Sequence, residues 1–117
     1  NRVLDHIDIK VRHLEQSKVF YRTLLAVLGI AASYEDASSI IFSDSKDYIW
    51  IGEGIPKRVH FAFSAKDMHE VNAFYQTGLA CGGKSAGEPS YQGDDYYSCY
   101  ILDLDNYLIE AVCRQAN

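Results

Sequence analysis

The chain repeats itself at a spacing of 54 residues, from His6 to His60, and this repeat limits what it can fold into. The shift needs no gap and also places Phe20 on Phe74, Tyr21 on Tyr75 and Gly29 on Gly83. The spacing of apolar side chains is kept between these pairs even where the residues differ. We therefore expect two copies of one structural unit.

Each copy begins with a strand and continues with a helix. Residues 3–11 alternate between apolar and polar side chains, which puts His6 on the polar face of a half-buried strand. Apolar residues then recur at helical spacing from Leu14 to Leu28, and Gly29 is a suitable helix stop. In the second copy the helix is expected at about 67–80. Three strands follow each helix. They are expected near 30–35, 38–43 and 47–53 in the first copy and near 84–87, 95–102 and 107–113 in the second. A loop is expected at 87–95, between the first two of these strands in the second copy.

Both copies thus have the order βαβββ. A single such unit leaves an open sheet, so two units must pair, either within one chain or between two chains. We predict an α+β fold in which tandem modules 1–54 and 55–117 form one domain, 1–117, with a cupped mixed sheet and helices on its outer face. His6 and His60 then point into the cup.

Charge and composition restrict the partners. The formal charge is −5, from 11 Lys and Arg against 16 Asp and Glu, and no basic run is present. This argues against nucleic acid and against an anionic membrane surface. No apolar stretch reaches the roughly 20 residues that span a bilayer. We expect a soluble cytoplasmic protein with a small-molecule ligand and free thiols; a bond between Cys99 and Cys113 would need an oxidising compartment.

A metal site is predicted in the cup. His6 and His60 occupy equivalent strand positions, and Glu110 lies between Leu108 and Val112 on the inner face of the last strand. Burying a carboxylate there is costly unless a positive group meets it. Two imidazoles and a carboxylate suit Fe, Mn, Zn, Ni or Co as a divalent ion. The alternative is a pair of core histidines with an outward-facing glutamate, and the repeat symmetry favours the metal site.

The chain resembles the vicinal oxygen chelate superfamily, which includes glyoxalase I, extradiol dioxygenases, fosfomycin-resistance enzymes and bleomycin-resistance proteins. The resemblance covers nearly all of the chain. It rests on the strand histidine followed by LEQSKVFYRTLLAVLGI, on VHFAF and VNAFYQTGLACGG, and on the ending YYSCYILDLDNYLIEAV. It implies a glyoxalase-like fold, a homodimer, and metal ligands at His6, His60 and Glu110.

Two segments depart from the family pattern. In the last turn, Leu104, Asn106 and Tyr107 replace the usual Pro, Gly and Asn; asparagine tolerates the left-handed conformation that glycine would supply, so we expect the hairpin to form. In the fourth strand, aligning DYIWIGE with NYLIEAV puts Ile51 opposite Glu110, where glyoxalase I carries a fourth, acidic ligand. Isoleucine at that position disfavours glyoxalase I activity, although Glu53 would substitute if the strand is bulged.

Other residues near the predicted cup are candidates for chemistry or binding. Asp8 is two residues past His6 on the same face and is a candidate proton acceptor, or an ordinary exposed strand residue. Trp50, Tyr96 and Tyr100 are candidates for contact with a flat or apolar substrate, while Trp50 would equally fill the core.

Two functions from different classes are consistent with these residues. The first is a metal-dependent enzyme in which the ion binds two adjacent oxygens of a small molecule, as in a lyase, isomerase, dioxygenase or transferase of this superfamily. The second is a metal-free protein of the bleomycin-resistance type that sequesters a drug in the cup. The complete set of ligands favours the enzyme.

Overall fold

The computed structural model describes residues 6–44, 47–57 and 60–114. Within these ranges the chain forms eight strands and two helices in the predicted order. The first half contains β1 (His6–Val11), α1 (Leu14–Ala26), β2 (Ala31–Glu35), β3 (Ser39–Asp44) and β4 (Asp47–Glu53). The second half contains β5 (His60–Ser64), α2 (Met68–Ala80), β6 (Lys84–Gly93), β7 (Tyr96–Leu102) and β8 (Leu108–Arg114).

The strands form two mixed sheets of four strands, one from each half. The first sheet has the order β1-β4-β3-β2 and the second has the order β5-β8-β7-β6. β1 runs parallel to β4 and β5 runs parallel to β8, whereas the remaining pairs are antiparallel. The predicted α+β architecture of two βαβββ modules is confirmed. The prediction of one domain with a module boundary after residue 54 stays a prediction.

The helices cover one face of each sheet, and the core lies between them. On β1, Ile9 and Val11 are buried, whereas His6, Asp8 and Lys10 are exposed on the opposite face. We call the face that carries these polar residues, and its equivalent on the second sheet, the inner face. The helices supply large apolar side chains to the core, among them Tyr21, Leu24, Leu25, Val71 and Phe74. The alternation seen in the sequence therefore separates a packed outer face from an open inner face.

Polar contacts join the two halves. The Tyr107 hydroxyl donates to the carbonyl of Lys10 at 2.7 Å and accepts from the backbone N–H of Lys10 and of Lys57. The Tyr21 hydroxyl donates to the buried carboxylate of Asp103 at 2.5 Å. Burial raises the pKa of Asp103, while its hydrogen bonds from Tyr21 and from backbone N–H groups oppose that shift. These bonds fix β1 and α1 against the last turn of the second half.

The last turn forms despite its unusual residues. Asn106 has a φ of 68°, the left-handed conformation expected of it, and its N–H donates to the Asp103 carbonyl at 3.0 Å. The short side chain of asparagine makes this conformation accessible. The three cysteines are free, as expected, and Cys99 lies opposite Ala111 rather than Cys113. No helix among the described residues is long and apolar enough to cross a membrane.

The loop predicted at 87–95 is wrong for most of its length. β6 continues from Lys84 to Gly93, and its turn to β7 is limited to residues 94–95. The register between β6 and β7 shifts three times, at the steps from Ser85 to Gly87, from Gly87 to Ser90, and from Tyr91 to Gly93. β6 is an edge strand, where bulges accommodate glycine and proline without ending the pairing. These residues therefore mark irregularities in a strand.

Candidate functional site

A buried carboxylate lies at the centre of the inner face of the second sheet. Glu110 is 3% exposed, and its Oε1 lies 3.2 Å from Nε2 of His60 on β5. Its other oxygen, Oε2, accepts a hydrogen bond from the Tyr96 hydroxyl at 2.5 Å. The imidazole is half exposed, with 52% of its side chain accessible. Two of the three predicted metal ligands thus converge, and the imidazole is accessible from the open side of the sheet.

Tyr96 is fixed from two sides. Its hydroxyl donates to Glu110, and the hydrogen bond to this carboxylate raises the pKa of the phenol, with a further contribution from burial. The guanidinium of Arg114 lies over its ring, 4.5 Å from the centroid. The Tyr96 hydroxyl is directed at the carboxylate, and the contact of Tyr96 with substrate stays a prediction. A charge-assisted bond of this kind orients Glu110.

Tyr100 and Ser98 share this inner face. Tyr100 pairs with Glu110 across β7 and β8, and its ring centroid lies 6.1 Å from that of His60. Ser98 is fully buried, and its hydroxyl has no hydrogen-bond partner within the part of the chain that the structure describes. No motif in the sequence distinguishes Ser98, because a lone serine in a strand has no spacing signal.

The inner face of the first sheet bears a different set of groups. The ring of His6 stacks on Tyr48, with centroids 4.9 Å apart and planes 7° from parallel. Nε2 of His6 lies 3.9 Å from the exposed carboxylate of Asp8. Both residues line an open concavity of about 540 Å³ together with Lys10, Ser33, Ile41, Ser43, Tyr48 and Trp50.

Trp50 lies across this concavity rather than in the core. Its six-membered ring occupies the space over Gly52, where an added Cβ would fall 2.1 Å from Cη2. The ammonium group of Lys10 lies 4.6 Å from the centroid of the indole. Of the two roles considered for Trp50, the structure supports a position in the pocket wall. Lys10 and Tyr48 were not predicted, because neither residue stands out from the strand alternation.

The predicted alignment of Ile51 with Glu110 is wrong by one residue. His6 pairs with Tyr48 on β4 just as His60 pairs with Leu108 on β8, so two residues farther on Trp50 is the equivalent of Glu110. A slip of one residue turns a strand side chain to the opposite face. Ile51 faces the core and is fully buried.

Glu53 is also placed away from the cup. β4 pairs with β1 and β3 without a register shift, so the bulge that would redirect Glu53 is absent from these pairings. Glu53 pairs with Val11, whose side chain is on the outer face. The position equivalent to Glu110 therefore holds an indole, and the carboxylate suggested as a substitute faces elsewhere.

The two histidines lie on different sheets of the chain. Among the described residues, no group of three or more His, Cys, Asp or Glu side chains is close enough together to hold a metal ion. One chain brings His60 and Glu110 together and presents His6 beside Asp8 on the other inner face. The three-ligand site stays a prediction.

Solved structures with the same fold cover nearly the whole chain. A glyoxalase/bleomycin resistance protein from Albidiferax ferrireducens is 29% identical with a TM-score of 0.88, and the alignment covers 97% of this chain and 100% of that one. The fosfomycin resistance protein FosX from Listeria monocytogenes is 25% identical with a TM-score of 0.73, over 98% and 95% of the two chains.

A third neighbour shows the fold alone. A glyoxalase/bleomycin resistance protein/dioxygenase family enzyme from Burkholderia phytofirmans is 14% identical with a TM-score of 0.77, over 95% of this chain and 98% of that one. No family model and no curated protein matches the sequence. The resemblance found in the sequence is nevertheless confirmed by structure: the solved proteins to which this chain is similar are members of the vicinal oxygen chelate superfamily.

Proposed function

We propose that this protein is a metal-dependent enzyme that acts on a small molecule with two adjacent oxygens. The observation that carries the proposal is the buried Glu110 carboxylate, whose Oε1 lies beside Nε2 of His60 on an open sheet face. A carboxylate is retained in such a place when a cation meets it. Imidazole nitrogen and carboxylate oxygen are donors suited to Fe, Mn, Zn, Ni or Co, so the residues present fit a divalent ion.

The proposed site is completed by a second copy of the chain. His6 is the third ligand, and it stands at the β1 position equivalent to that of His60 on β5. Both inner faces carry exposed strand residues, including His6, Asp8, His60 and Ala62. In a homodimer with two-fold symmetry, the first sheet of one copy would face the second sheet of its partner, which gives two equivalent sites.

Each named side chain has a separate part in the proposed chemistry. A bound divalent ion would supply Lewis-acid catalysis. His6, His60 and Glu110 would hold the ion, and Tyr96 would keep the Glu110 carboxylate in one orientation. The exposed carboxylate of Asp8 would accept a proton from the substrate on the same face. Trp50 and Tyr100 would contact the body of the substrate.

Metal content tests the ligand set. The expected result is about one equivalent of a transition metal per chain, and Glu110→Ala would lower the affinity for that metal by at least about 100-fold. Elemental analysis of protein prepared without chelator, followed by titration with Co²⁺, measures both quantities. If the unmodified protein binds no transition metal even from excess Co²⁺, the enzymatic proposal is wrong.

Mixing two variants tests whether the site is shared between copies. His6→Ala and His60→Ala each damage every site in their own homodimers. A purified heterodimer of the two variants would carry one intact site and recover about half of the wild-type metal content. Ligands contributed by a single copy would give no recovery. Circular dichroism of each variant verifies that the loss of metal is not a loss of folding.

A metal-free binding protein of the bleomycin-resistance type is the second candidate. The concavity of about 540 Å³ on the first sheet favours it, because this space is lined by the aromatic side chains of Tyr48 and Trp50 and does not include Glu110. Such a protein would bind an aromatic drug equally well with and without metal. Absence of metal binding together with tight drug binding would select this candidate.

A further inference from the structure

We infer that the first sheet binds the anionic group of a small ligand through Lys10, with the flat or apolar body of that ligand against Trp50 and Tyr48. This inference deepens the proposed function by naming the class of substrate, an anionic molecule with an unsaturated body. It rests on the proposed function only in placing that ligand in the same cup. The contacts that support it lie on the first sheet, away from Glu110.

The position of Lys10 is set by the surrounding chain. Its backbone N–H and carbonyl are both bonded to the Tyr107 hydroxyl, at 3.3 and 2.7 Å. Its aliphatic stem lies against Gly54, where an added Cβ would stand 3.1 Å from Cδ of the lysine. The ammonium group is thereby directed over the indole of Trp50. Less conformational entropy is lost on binding when a cation is already held in place.

The positive charge of Lys10 is not neutralised by a neighbouring acid. No carboxylate lies within 4.0 Å of its ammonium group in the described part of the chain. Asp8 shares its face but stands beside His6, 3.9 Å from Nε2. Lys18 on α1 shows the contrast: it is buried, and its ammonium group is paired with both Glu15 and Glu35. A cation held over an aromatic ring in an open concavity is suited to an anionic ligand.

The walls of the concavity suit an unsaturated ligand body. Trp50 and Tyr48 both face the space, and Ile41 adds an apolar surface opposite Trp50. Ser33 and Ser43 belong to the same lining and add polar side chains to it. Aromatic side chains with a few convergent polar groups are typical of small-molecule sites. Space over Gly52 for the indole exists only because that residue lacks a Cβ.

Trp50 itself reports on binding, because it is the single tryptophan of the chain. Metal-free protein would be titrated with phenylacetate, with its neutral counterpart phenylacetamide, and with cyclohexylacetate, while Trp50 fluorescence is recorded. We expect saturable quenching by phenylacetate and about tenfold weaker binding of phenylacetamide. Cyclohexylacetate should bind more weakly than phenylacetate, since it keeps the charge and lacks the aromatic ring.

Two lysine variants show which cation is responsible. Lys10→Gln should bind phenylacetate and phenylacetamide with equal affinity, whereas Lys84→Gln, on exposed β6, should keep the preference for the anion. Three results would overturn the inference. The unmodified protein could bind phenylacetate and phenylacetamide equally well, or the preference for phenylacetate could survive in Lys10→Gln. The third result is that no probe quenches the fluorescence of Trp50. The titration needs no metal, so its result is independent of the metal-dependent function. If the protein binds no Co²⁺ but still prefers phenylacetate over phenylacetamide, the metal-dependent function is wrong and this inference holds.

Discussion

The two inner faces of the molecule share one backbone plan and carry different chemistry. On each, a histidine begins the first strand, and its neighbour on the paired parallel strand stands in the same register, Tyr48 in one half and Leu108 in the other. Two residues farther on, the first half has Trp50 and the second half has Glu110. The two halves therefore share their fold and the histidine at the start of the first strand. They differ at one equivalent strand position, which holds the aromatic Trp50 in the first half and the carboxylate of Glu110 in the second.

The surroundings of the two carboxylates show what this difference means. The Asp8 side chain beside His6 is 58% exposed, whereas the Glu110 side chain beside His60 is 4% exposed. Hydration stabilises the charge of the first, but the second depends on Tyr96 and His60 for its contacts. Since a buried charge is costly unless it is paired, the second face is where we propose that a cation binds. The first face is where we propose that the organic part of a ligand lies.

The largest expected effect tests the equivalence of Trp50 with Glu110. Ile51→Glu puts a charge into the fully buried core and should lower the free energy of unfolding by at least about 3 kcal/mol, or prevent folding. Trp50→Glu puts the same charge on the open inner face and should cost about 1 kcal/mol. Thermal and urea unfolding followed by circular dichroism measures both. Equal destabilisation by the two variants would show that the register deduced from strand pairing is incorrect.

This register was also where prediction from sequence failed. The repeat, the two helices and the order of strands follow from periodicity, and both helices occur with their ends 54 residues apart, Leu14 with Met68 and Ala26 with Ala80. The fourth strand, in contrast, has a nearly continuous apolar run, YIWI, in which alternation gives no phase. Its pairing with β1 shows that Trp50, and not Ile51, faces inward.

The candidate site was predictable only in part for a similar reason. The repeat pointed to His60 and the apolar neighbours of Glu110 pointed to burial, and the structure brings these two side chains together. The bond from Tyr96 to Glu110 links residues on neighbouring strands of a hairpin, and its existence depends on rotamers that no sequence spacing specifies. The direction of Lys10 depends on Tyr107, which is 97 residues away in sequence. Long-range contacts of this kind leave no local pattern.

Tyr96→Phe provides a sharper comparison of the two faces. Loss of the hydroxyl that holds Glu110 Oε2 should weaken Co²⁺ binding about tenfold, because partners of metal ligands typically contribute 10- to 100-fold to affinity. The electronic spectrum of bound Co²⁺ should also change, which a purely structural role for the hydroxyl would not produce. Isothermal titration and visible absorption are the measurements.

Tyr100→Phe is the matched control for this variant. Tyr100 lies on the same face and its ring is near His60, but its hydroxyl has no bond to Glu110. The control should bind Co²⁺ with nearly the wild-type affinity and spectrum. If both phenylalanine variants lose affinity to the same extent, Tyr96 does not have the specific positioning role assigned to it.

A smaller effect is expected from filling the space over Gly52. In Gly52→Ala the new methyl group would collide with the indole of Trp50, so the ring must move away from its present place. We expect a shift in the Trp50 emission spectrum and a loss of about 1 kcal/mol in the free energy of unfolding. Gly93→Ala, with no atom within 4 Å of the added carbon, should change neither. An unchanged emission spectrum in Gly52→Ala would contradict the position given to Trp50.

The smallest expected effect is a pH-dependent change in melting temperature. It compares the turn between β2 and β3 with the turn between β6 and β7. Asp36, in the turn before β3, accepts hydrogen bonds from Tyr34, Ser38 and Ser39, and these bonds lower its pKa from 3.8 to about 2. A depressed pKa contributes stability above the unfolded value of 3.8, and that contribution is lost as the pH falls through about 2. The melting temperature of the unmodified protein should therefore exceed that of Asp36→Asn by a few degrees near neutral pH, and the difference should shrink between about pH 4 and pH 2.

Asp95→Asn, in the turn between β6 and β7, should show no such convergence, because no hydrogen bond or ion pair holds its side chain in the described part of the chain. Calorimetry of the three proteins across this range provides the measurement, and a difference for Asp36→Asn that stays constant down to pH 2 would show that the charge of Asp36 does not stabilise the first hairpin.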